Sequence, residues 1–259
     1  MGILNLTPDS FYDGGKYVDN DSALQHAAEM IAEGADIIDI GGMSSKSGAT
    51  IIPADVETLR VIPVIKAIHS AFPKALISID TIHASTAKAA VATGASIVND
   101  ISGGDYDKTM LSTVAKLGVP FIAMHMRGTP ETMQSLTHYE ELVTEVYNDL
   151  QEKLLQCKAA GIKDVILDPG FGFAKTVEQN FILLNQLNVF KTLQVPLLAG
   201  LSRKSMVTKT LHISKEEALN GSTVLNTIAL MNGANILRVH DVKQAKEAVQ
   251  LFCALHQMA

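Results

Sequence analysis

The sequence has no tryptophan, few aromatic residues and only two cysteines. Aromatic residues make up 5% of the 259 positions, too few for the rows of stacked rings with which proteins bind single-stranded nucleic acid. Cys157 and Cys253 can form at most one pair, which excludes a framework of disulfides. Both cysteines fall in stretches with helical periodicity, so we expect them to be reduced packing residues.

Basic blocks, long apolar runs and a leader sequence are also missing. Lys plus Arg number 21 against 27 Asp plus Glu, and a net charge of −6 argues against a nucleic-acid surface. No apolar run approaches the roughly 18 residues needed to cross a bilayer. The opening Met1-Gly2-Ile3-Leu4-Asn5 lacks the basic and apolar regions of a signal peptide. We therefore expect a cytoplasmic protein that binds neither membrane nor nucleic acid.

What the sequence does contain is a regular alternation of short apolar runs and longer helical patterns. The short runs lack a polar and apolar alternation, which is typical of parallel strands buried on both faces. Eight strands are predicted: Gly2–Asn5, Asp36–Gly41, Leu76–Asp80, Ile97–Ile101, Pro120–Met126, Val165–Asp168, Pro196–Gly200 and Ile236–His240. Helical patterns follow the strands, for example Asp21–Glu33, Pro53–Ser70, Tyr139–Ala160 and Glu216–Met231. Eight β/α units in about 250 residues predict an α/β fold, a TIM barrel, with residues 1–259 as a single domain.

A weak internal repeat supports the barrel. Gly34, Gly94 and Gly233 each stand where a helix must stop, in the strings Gly-Ala-Asp-Ile, Gly-Ala-Ser-Ile and Gly-Ala-Asn-Ile that lead into a strand. The alternative is a doubly wound open sheet, which often carries a glycine fingerprint after its first strand. Because no G-x-G-x-x-G follows the first strand here, the barrel is favoured.

Polar residues end the predicted strands, on the side where a TIM barrel carries its active site. One set is Asp80, Asn99 and Asp168, another is Lys204, Arg238 and His240, and further strands end near Asn5, Asp39 and His125. Carboxylates and an amide in an apolar barrel suit a flat heterocycle rich in N–H donors. The cationic set follows strands seven and eight, where such barrels often bind phosphate, so the ligand is predicted to carry a phosphate ester or diphosphate.

Metal-binding motifs of the usual spacing do not occur. The absence of H-x-x-x-H, H-E-x-x-H and C-x-x-C argues against zinc. Magnesium that enters with a diphosphate needs only one or two protein oxygens, so Asn5 or a nearby aspartate could hold it without a motif. Ser202 and Ser205 stand outside any G-x-S-x-G string, which argues against a serine hydrolase.

Several longer strings resemble the dihydropteroate synthase family over almost the whole chain and in the family's order. They are MGILNLTPDSF at positions 1–11 with Asp13-Gly14-Gly15, Asp39-Ile40-Gly41-Gly42, Asp168-Pro169-Gly170-Phe171-Gly172-Phe173, Ser202-Arg203-Lys204-Ser205 and Arg238-Val239-His240-Asp241. The resemblance implies a TIM barrel that joins 6-hydroxymethyl-7,8-dihydropterin diphosphate to p-aminobenzoate in folate synthesis and releases diphosphate. It also implies Mg²⁺ as a cofactor, a homodimer and inhibition by sulfonamides.

The resemblance further implies roles for individual residues. It assigns the floor of a pterin site to Asp80, Asn99, Asp168 and Lys204, with Arg238 over the ring and in reach of the diphosphate. It assigns the diphosphate and its Mg²⁺ to Asn5 and His240, and contact with p-aminobenzoate to Ser205. Phe11 and Asp13 would belong to a first loop that closes over the reacting centre. Among these residues, the expected catalytic ones are Asp13, Lys204 and Arg238.

The second loop departs from the family pattern. Where relatives usually have Gly-Gly-Glu-Ser-Thr-Arg-Pro-Gly, this chain has Gly41-Gly42-Met43-Ser44-Ser45-Lys46-Ser47-Gly48. Ser45 and Lys46 are expected to contact substrate, although lysine lacks the bidentate fork of arginine and Ser47 lacks the fixed φ of proline. Two alternatives stay open: a pterin-binding methyltransferase-type barrel, which would not need the cationic set, and a barrel that binds pterin without turnover.

Overall fold

The structure is a computed structural model that describes residues 1–7 and 20–257. The strands are β1 (Gly2–Asn5), β2 (Ile37–Gly41), β3 (Leu76–Asp80), β4 (Ile97–Asp100), β5 (Phe121–Met124), β6 (Val165–Asp168), β7 (Leu198–Ala199) and β8 (Ile236–Leu237). The α-helices are α1 (Asn20–Ala32), α2 (Ala54–Ala71), α3 (Ala84–Thr93), α4 (Met110–Leu117), α5 (Leu142–Ala160), α6 (Val177–Asn185), α7 (Ser205–Leu211), α8 (Leu219–Met231) and α9 (Val242–Gln257). No helix within the described ranges is long and apolar enough to cross a membrane.

The strands run parallel and close into a barrel. β1 to β6 pair in chain order, and β7 pairs with β8. A bridge between Leu167 and Leu197 joins the two sheets at one seam, and a bridge between Gly2 and Val239 joins them at the other. At the second seam, the Ile3 N–H donates to the Val239 carbonyl at 3.0 Å. The predicted TIM barrel is confirmed, because an open sheet would leave its first and last strands unpaired.

The last two strands are shorter than predicted. Pro196 has no N–H to donate and therefore cannot extend the regular pairing of β7, although its carbonyl accepts from the Leu167 N–H at 3.0 Å. Just after β8, the Arg238 N–H still donates to the Ala199 carbonyl at 3.0 Å, but the next residue, Val239, donates to the Met1 carbonyl instead, at 2.9 Å. The end of β8 thus changes partner from β7 to the start of the chain.

The three glycines of the internal repeat end helices as predicted. Gly34, Gly94 and Gly233 have φ values of +95°, +132° and +104°, a region in which residues with a side chain are strained. At Gly94 an added Cβ would also lie 2.5 Å from Cγ of His69. Glycine is therefore required at this turn for both reasons.

Apolar side chains form three clusters. One of them, which includes Met43 and Phe173, packs among the segments that follow the strands, and the other two build the barrel. The larger core lies between the helices and the outer face of the strands and includes the fully buried Leu4, Ile40 and Ile79. A smaller cluster is drawn from strands on every side of the barrel and can meet only inside it; its members are Ile97, Ile122 and Leu198, with Met1, Ile37, Ile166 and Ile236 packed against them. The interior is thus closed by an apolar layer on the amino-terminal side.

A layer of polar side chains lies next to that apolar layer, on the side of the carboxyl ends of the strands. Because strand side chains alternate in direction, the residue two positions further on points the same way. These residues are Asp39 after Ile37, Asn99 after Ile97, Asp168 after Ile166 and Arg238 after Ile236. The alternation of the strands therefore directs the polar residues into the barrel at its carboxyl end.

Gly170, in the turn after β6, makes a close backbone approach that can be tested. Its φ is +71°, and an added Cβ would lie 2.0 Å from the carbonyl oxygen of His125. Gly170→Ala is expected to lower the free energy of unfolding by about 3 kcal/mol or more, because backbone must move in addition to the strain at φ. The matched control is Gly118→Ala, with φ of +67° and nothing within 4 Å, which should cost only about 1–2 kcal/mol. Equal losses in urea unfolding would contradict the close approach.

Candidate active site

The polar side chains predicted from the strand ends meet at one mouth of the barrel. Asn99 and Asp168 are buried, whereas the side chains of Asp80 and Arg238 retain 11% and 18% exposure. Asn5 ends β1 beside Gly41, where an added Cβ would lie 3.8 Å from the Asn5 amide oxygen and 3.6 Å from Asp80 Oδ2. The mouth thus brings together residues from β1, β3, β4, β6 and β8.

Arg238 is held between two carboxylates. Its Nε donates to Asp39 Oδ2 at 2.6 Å, and its Nη2 donates to Asp80 Oδ2 at 2.6 Å. The same Asp39 oxygen accepts from Asn99 Nδ2 at 3.1 Å. These three bonds link β2, β3, β4 and β8 across the barrel, which fixes the direction of each side chain.

This arrangement differs from the division by charge that the sequence indicated. Arg238 does not stand apart with Lys204 and His240, because it reaches across to the carboxylates. Burial on its own would lower the pKa of Arg238, but the charges of Asp39 and Asp80 outweigh burial and shift its pKa upward. For Asp80, burial raises the pKa against the opposing effect of Arg238. Asp39, to which the resemblance gives no role, is the residue that joins Arg238 to Asn99.

Asp168 and Lys204 form a second part of the floor. The Gly170 N–H donates to Asp168 Oδ1 at 2.8 Å. Lys204 donates to the Phe171 carbonyl, and its Nζ lies 4.7 Å from the centre of the Phe173 ring. Burial raises the pKa of Asp168, with Lys204 opposing the shift, and burial lowers the pKa of Lys204 to about 8. The segment from Asp168 to Phe173 therefore supplies the Asp168 carboxylate as an acceptor and also holds the Lys204 ammonium group beside it.

His240 lies at the outer edge of the mouth. Its Nδ1 is 3.1 Å from Ser202 Oγ, and the same hydroxyl accepts from the His240 backbone N–H at 3.2 Å. Desolvation and the neighbouring Arg238 lower the pKa of His240 to about 4, so the ring is neutral at pH 7. The adjacent Arg203 has a structural role, because its Nε and Nη2 bind both carboxylate oxygens of Asp241 at 3.0 and 2.6 Å.

The remaining predicted residues lie on the loops around the mouth. Ser205 begins α7 and is exposed, next to Lys204. Ser45 is partly buried and Lys46 exposed in the second loop, which the Gly48 N–H ties to the Pro130 carbonyl at 2.9 Å. Phe11 and Asp13 lie outside the described residues.

The donor set at the mouth suits a metal that enters with its ligand. Within residues 1–7 and 20–257, no three His, Cys, Asp or Glu side chains are grouped so as to hold a metal. Asn5 offers one amide oxygen, and the carboxylate of Asp80, which also faces Gly41, is bonded to Arg238. This set fits a Mg²⁺ that takes its other ligands from a diphosphate and water, since Mg²⁺ commonly binds through one or two protein oxygens.

Comparison with known proteins places the chain in a family. A family model described as a pterin binding enzyme matches residues 1–240. The dihydropteroate synthase of Clostridium beijerinckii is 44% identical over 254 residues, which cover 97% of this chain and 91% of that protein. The chain belongs to the dihydropteroate synthase family. The resemblance stated from its sequence is thereby confirmed.

Solved structures of dihydropteroate synthases have the same fold. That of Yersinia pestis, with a sulfonamide drug complex, has a TM-score of 0.93 at 41% identity and covers 99% of this chain and 93% of its own. That of Xanthomonas albilineans, with 4-aminobenzoic acid, has a TM-score of 0.92 at 39% identity, with coverage of 98% and 92%. Similarity to synthases over nearly the whole chain decides against the methyltransferase-type barrel and against a binder without turnover.

Lys175 is a buried residue that the sequence reasoning missed. Its Nζ donates to the carbonyls of Gly170 and Phe173 at 3.0 and 3.1 Å and lies 2.9 Å from His125 Nδ1. Burial lowers the pKa of Lys175 to about 7 and that of His125 to about 2, so His125 is neutral. These two residues support the turn after Asp168 from behind. No motif marks Lys175, because a lone lysine after a glycine-rich turn usually lies in solvent.

Proposed function

We infer that the chain condenses 6-hydroxymethyl-7,8-dihydropterin diphosphate with p-aminobenzoate, giving 7,8-dihydropteroate and diphosphate in folate synthesis. The observation that carries this is a barrel mouth with buried acceptors on one side, Lys204 and His240 on the other, and Arg238 between them. Such a mouth can take a ring edge rich in N–H donors and an anion at the same time. The relatives described above support the assignment.

The pterin ring is proposed to lie on Asp168, Asn99, Asp80 and Lys204. Asp168 Oδ1 is occupied by the Gly170 N–H, which leaves Oδ2 to accept from the ring. Arg238 uses one Nε proton and one Nη2 proton on carboxylates, so Nη1 and the other Nη2 proton are left for the ring face and the diphosphate. This division lets one guanidinium hold the floor in place and still contact substrate.

The reaction breaks the bond between the exocyclic methylene and the diphosphate oxygen. The arylamine nitrogen forms the new bond to the methylene and loses one proton, which the released diphosphate or water can accept. The positive charges of Arg238 and Lys204 stabilise the charge that develops on the leaving diphosphate, and the neutral ring of His240 can donate an N–H to it. Bound Mg²⁺ would neutralise part of the same charge, and we propose Asn5 as its protein ligand. The amine of p-aminobenzoate needs little activation, so its orientation contributes more than a general base.

The arylamine is proposed to enter between Ser205 and the second loop with Ser45 and Lys46. The Xanthomonas albilineans relative was solved with 4-aminobenzoic acid and the Yersinia pestis relative with a sulfonamide drug. We propose that this chain binds both kinds of compound there. Phe11 and Asp13, the latter as a catalytic residue, are proposed to cover the site from the first loop.

Detection of the product tests the proposed activity. Purified protein with both substrates and Mg²⁺ is expected to form a compound with the mass and absorbance of 7,8-dihydropteroate. Omission of either substrate should abolish that compound. A protein that binds the pterin but forms no dihydropteroate would instead be a binder without turnover.

Asn5→Ala tests the metal assignment. The variant is expected to need at least tenfold more Mg²⁺ for half-maximal activity, because it removes the amide oxygen proposed to bind the ion. The matched control is Asn235→Ala, which removes an amide at the opposite, amino-terminal end of the barrel, where Asn235 Oδ1 accepts from the Leu197 N–H at 2.9 Å. An unchanged Mg²⁺ requirement in Asn5→Ala would contradict the assignment.

The lowered pKa of Lys204 predicts a limit at high pH. As pH rises through about 8, the lysine loses its proton and with it the charge that faces the leaving group. We expect kcat/KM for the pterin diphosphate to fall roughly tenfold per pH unit above that point. Lys204→Arg keeps its charge, so its activity should be lower but free of this fall. If kcat/KM still falls above pH 8 in Lys204→Arg, the group that loses its proton is another residue, such as Lys175.

We also propose a homodimer formed through α8 and α9. These two helices pack side by side and expose large apolar side chains, namely Val224, Ile228, Met231, Leu251 and Leu255. A contiguous apolar patch of this kind usually marks a protein interface. Light scattering should give twice the mass of 27.7 kDa, and Leu251→Glu should give the monomer. A monomeric parent protein would contradict the proposal.

A cytoplasmic location and a single domain over residues 1–259 are proposed as well. Cys157 is buried, as expected of a packing residue, whereas Cys253 is exposed, so that expectation is wrong for Cys253; both are free thiols. An exposed free thiol is typical of proteins in a reducing compartment. Fractionation of the native host, with protease protection of intact cells, tests the location, and limited proteolysis of the purified protein tests the single domain.

A further inference from the structure

Glu57, near the start of α2, is a buried carboxyl group that the mechanism does not use. The residue is 0% exposed. Its Oε2 accepts from the Thr81 hydroxyl at 2.5 Å, while its Oε1 is buried without a partner among the described residues. An oxygen of this kind costs free energy on folding, and burial raises the pKa of Glu57 although the hydroxyls of Thr81 and Thr86 oppose the rise. Stability alone therefore does not explain a carboxyl group at this position.

The partner of Glu57 is the residue that follows Asp80. Thr81 donates its N–H to the Asn99 carbonyl at 2.9 Å, and its hydroxyl accepts from the His83 N–H at 3.1 Å while it donates to Glu57. The hydroxyl is thus held at one point by two neighbours. This fixes the peptide between Asp80 and Thr81, from which the Asp80 carboxylate projects toward Arg238.

The same turn of α2 also touches the start of the second loop. Arg60 Nη1 donates to the Gly42 carbonyl at 2.9 Å. A Cβ on Gly42 would lie 3.0 Å from Glu57 Cγ and 2.8 Å from Val61 Cγ1. One helical turn therefore contacts the ends of both β2 and β3, and a shift of Glu57 would move the two together.

We propose that Glu57 is a positioning residue that acts through the Thr81 hydroxyl to hold the Asp80 carboxylate in the direction that the pterin ring requires. The proposal rests on the proposed function, because it gives Asp80 a ring to bind. Glu57 itself contacts no substrate. The carboxyl group serves as an acceptor for Thr81, and no proton transfer is asked of it.

Two substitutions at position 81 separate this role from simple packing. Thr81→Val keeps the shape and removes the hydroxyl, whereas Thr81→Ser keeps the hydroxyl and removes a methyl group. We expect Thr81→Val to bind hydroxymethylpterin about tenfold more weakly in calorimetry and to raise KM for the pterin diphosphate by a similar factor. Thr81→Ser should stay within about twofold of the parent. KM for p-aminobenzoate and the temperature of the unfolding midpoint are measured as controls. Both should stay unchanged if the substitution affects pterin binding alone.

The variant Glu57→Gln provides an independent test of the same proposal. Its amide oxygen can still accept from Thr81, so a positioning role predicts pterin affinity within about threefold of the parent. A loss in Thr81→Ser or Glu57→Gln as large as that in Thr81→Val would overturn the proposal. So would parent-like pterin affinity in Thr81→Val. If Thr81→Val does not fold, Thr81→Ala takes its place with the same expected loss.

A double-mutant cycle with Asp80→Asn completes the test. If the Thr81 hydroxyl that Glu57 holds acts through Asp80, the tenfold loss in Thr81→Val should largely disappear when Asp80 is already replaced. Additive losses would show that position 81 affects pterin binding by another route and would overturn the proposal. Because the calorimetric measurements use pterin binding alone, they stand apart from the activity. A parent protein that does not bind pterin would refute the proposed function instead.

Discussion

Replacement of Arg238 by alanine is expected to lower the free energy of unfolding by about 3–5 kcal/mol and to remove most affinity for the pterin diphosphate. The stability loss follows because Asp39 and Asp80 would remain in the barrel without the cation that binds each at 2.6 Å. The affinity loss should be larger for the pterin diphosphate than for hydroxymethylpterin, since only the former loses an anion contact. Urea unfolding and calorimetry with both ligands measure these effects.

Arg238→Lys is the control for charge. It keeps one positive charge but has no planar fork to bridge two carboxylates, so stability and diphosphate affinity should lie between those of the parent and of Arg238→Ala. A stability loss below about 1 kcal/mol in Arg238→Ala would contradict the paired geometry. Equal affinity losses for the two ligands would show that Arg238 does not contact the diphosphate.

Asp168→Asn is expected to weaken pterin binding by about 2–4 kcal/mol with little effect on folding. The carboxylate can accept from the Gly170 N–H and from the ring at once, whereas the amide would satisfy one and turn a donor toward the other. Calorimetry with hydroxymethylpterin measures the loss. Near-native affinity would refute the assignment of Asp168 to the ring edge.

Asp100→Asn is the matched control for Asp168→Asn. Asp100 is also buried at the end of a strand, but its oxygens accept from the N–H and hydroxyl of Ser102 at 2.7 Å and from the Gly104 N–H at 3.0 Å. These bonds are confined to the turn after β4. The variant should therefore lose stability and keep its pterin affinity, the reverse of Asp168→Asn.

The barrel could be predicted from the sequence because parallel strands buried on both faces leave a strong local signal. Runs such as Ile37–Gly41 and Leu76–Asp80 stand out as apolar stretches, and a glycine stands where several helices end. The predicted strand ends differ from the structure at β7 and β8, where the pairing partners lie far away in the sequence. The change of partner at Val239 shortens β8 and cannot be seen in the local pattern. Pro196, by contrast, is visible in the sequence, and its missing N–H already argues against a strand that begins there.

The sequence also predicted which residues line the site, but it could not predict which of them form hydrogen bonds with one another. The alternation of each strand points Asp39, Asn99, Asp168 and Arg238 into the barrel. Which of them meet depends on the register around the closed barrel, and Arg238 binds residues 199 and 158 positions earlier in the chain. The cationic and acidic sets therefore looked separate in the sequence although one arginine joins them.

The unusual second loop shows how a departure from the family pattern can be accommodated. The arginine and proline of the family stand here as Lys46 and Ser47. The Ala49 N–H donates to the Lys46 carbonyl at 3.0 Å, and the Gly48 N–H donates to Pro130 at 2.9 Å. These backbone bonds need neither an arginine side chain nor a proline ring. They provide part of the order that a fixed φ would otherwise supply.

Release of diphosphate, measured in the steady state with and without p-aminobenzoate, tests the assignment of the chain most directly. We predict that release from the pterin diphosphate requires p-aminobenzoate and matches the dihydropteroate formed, one for one. Water is then not an acceptor, and the charged mouth serves a transfer reaction. Release at the same rate without p-aminobenzoate would contradict this and identify a hydrolase of the pterin diphosphate.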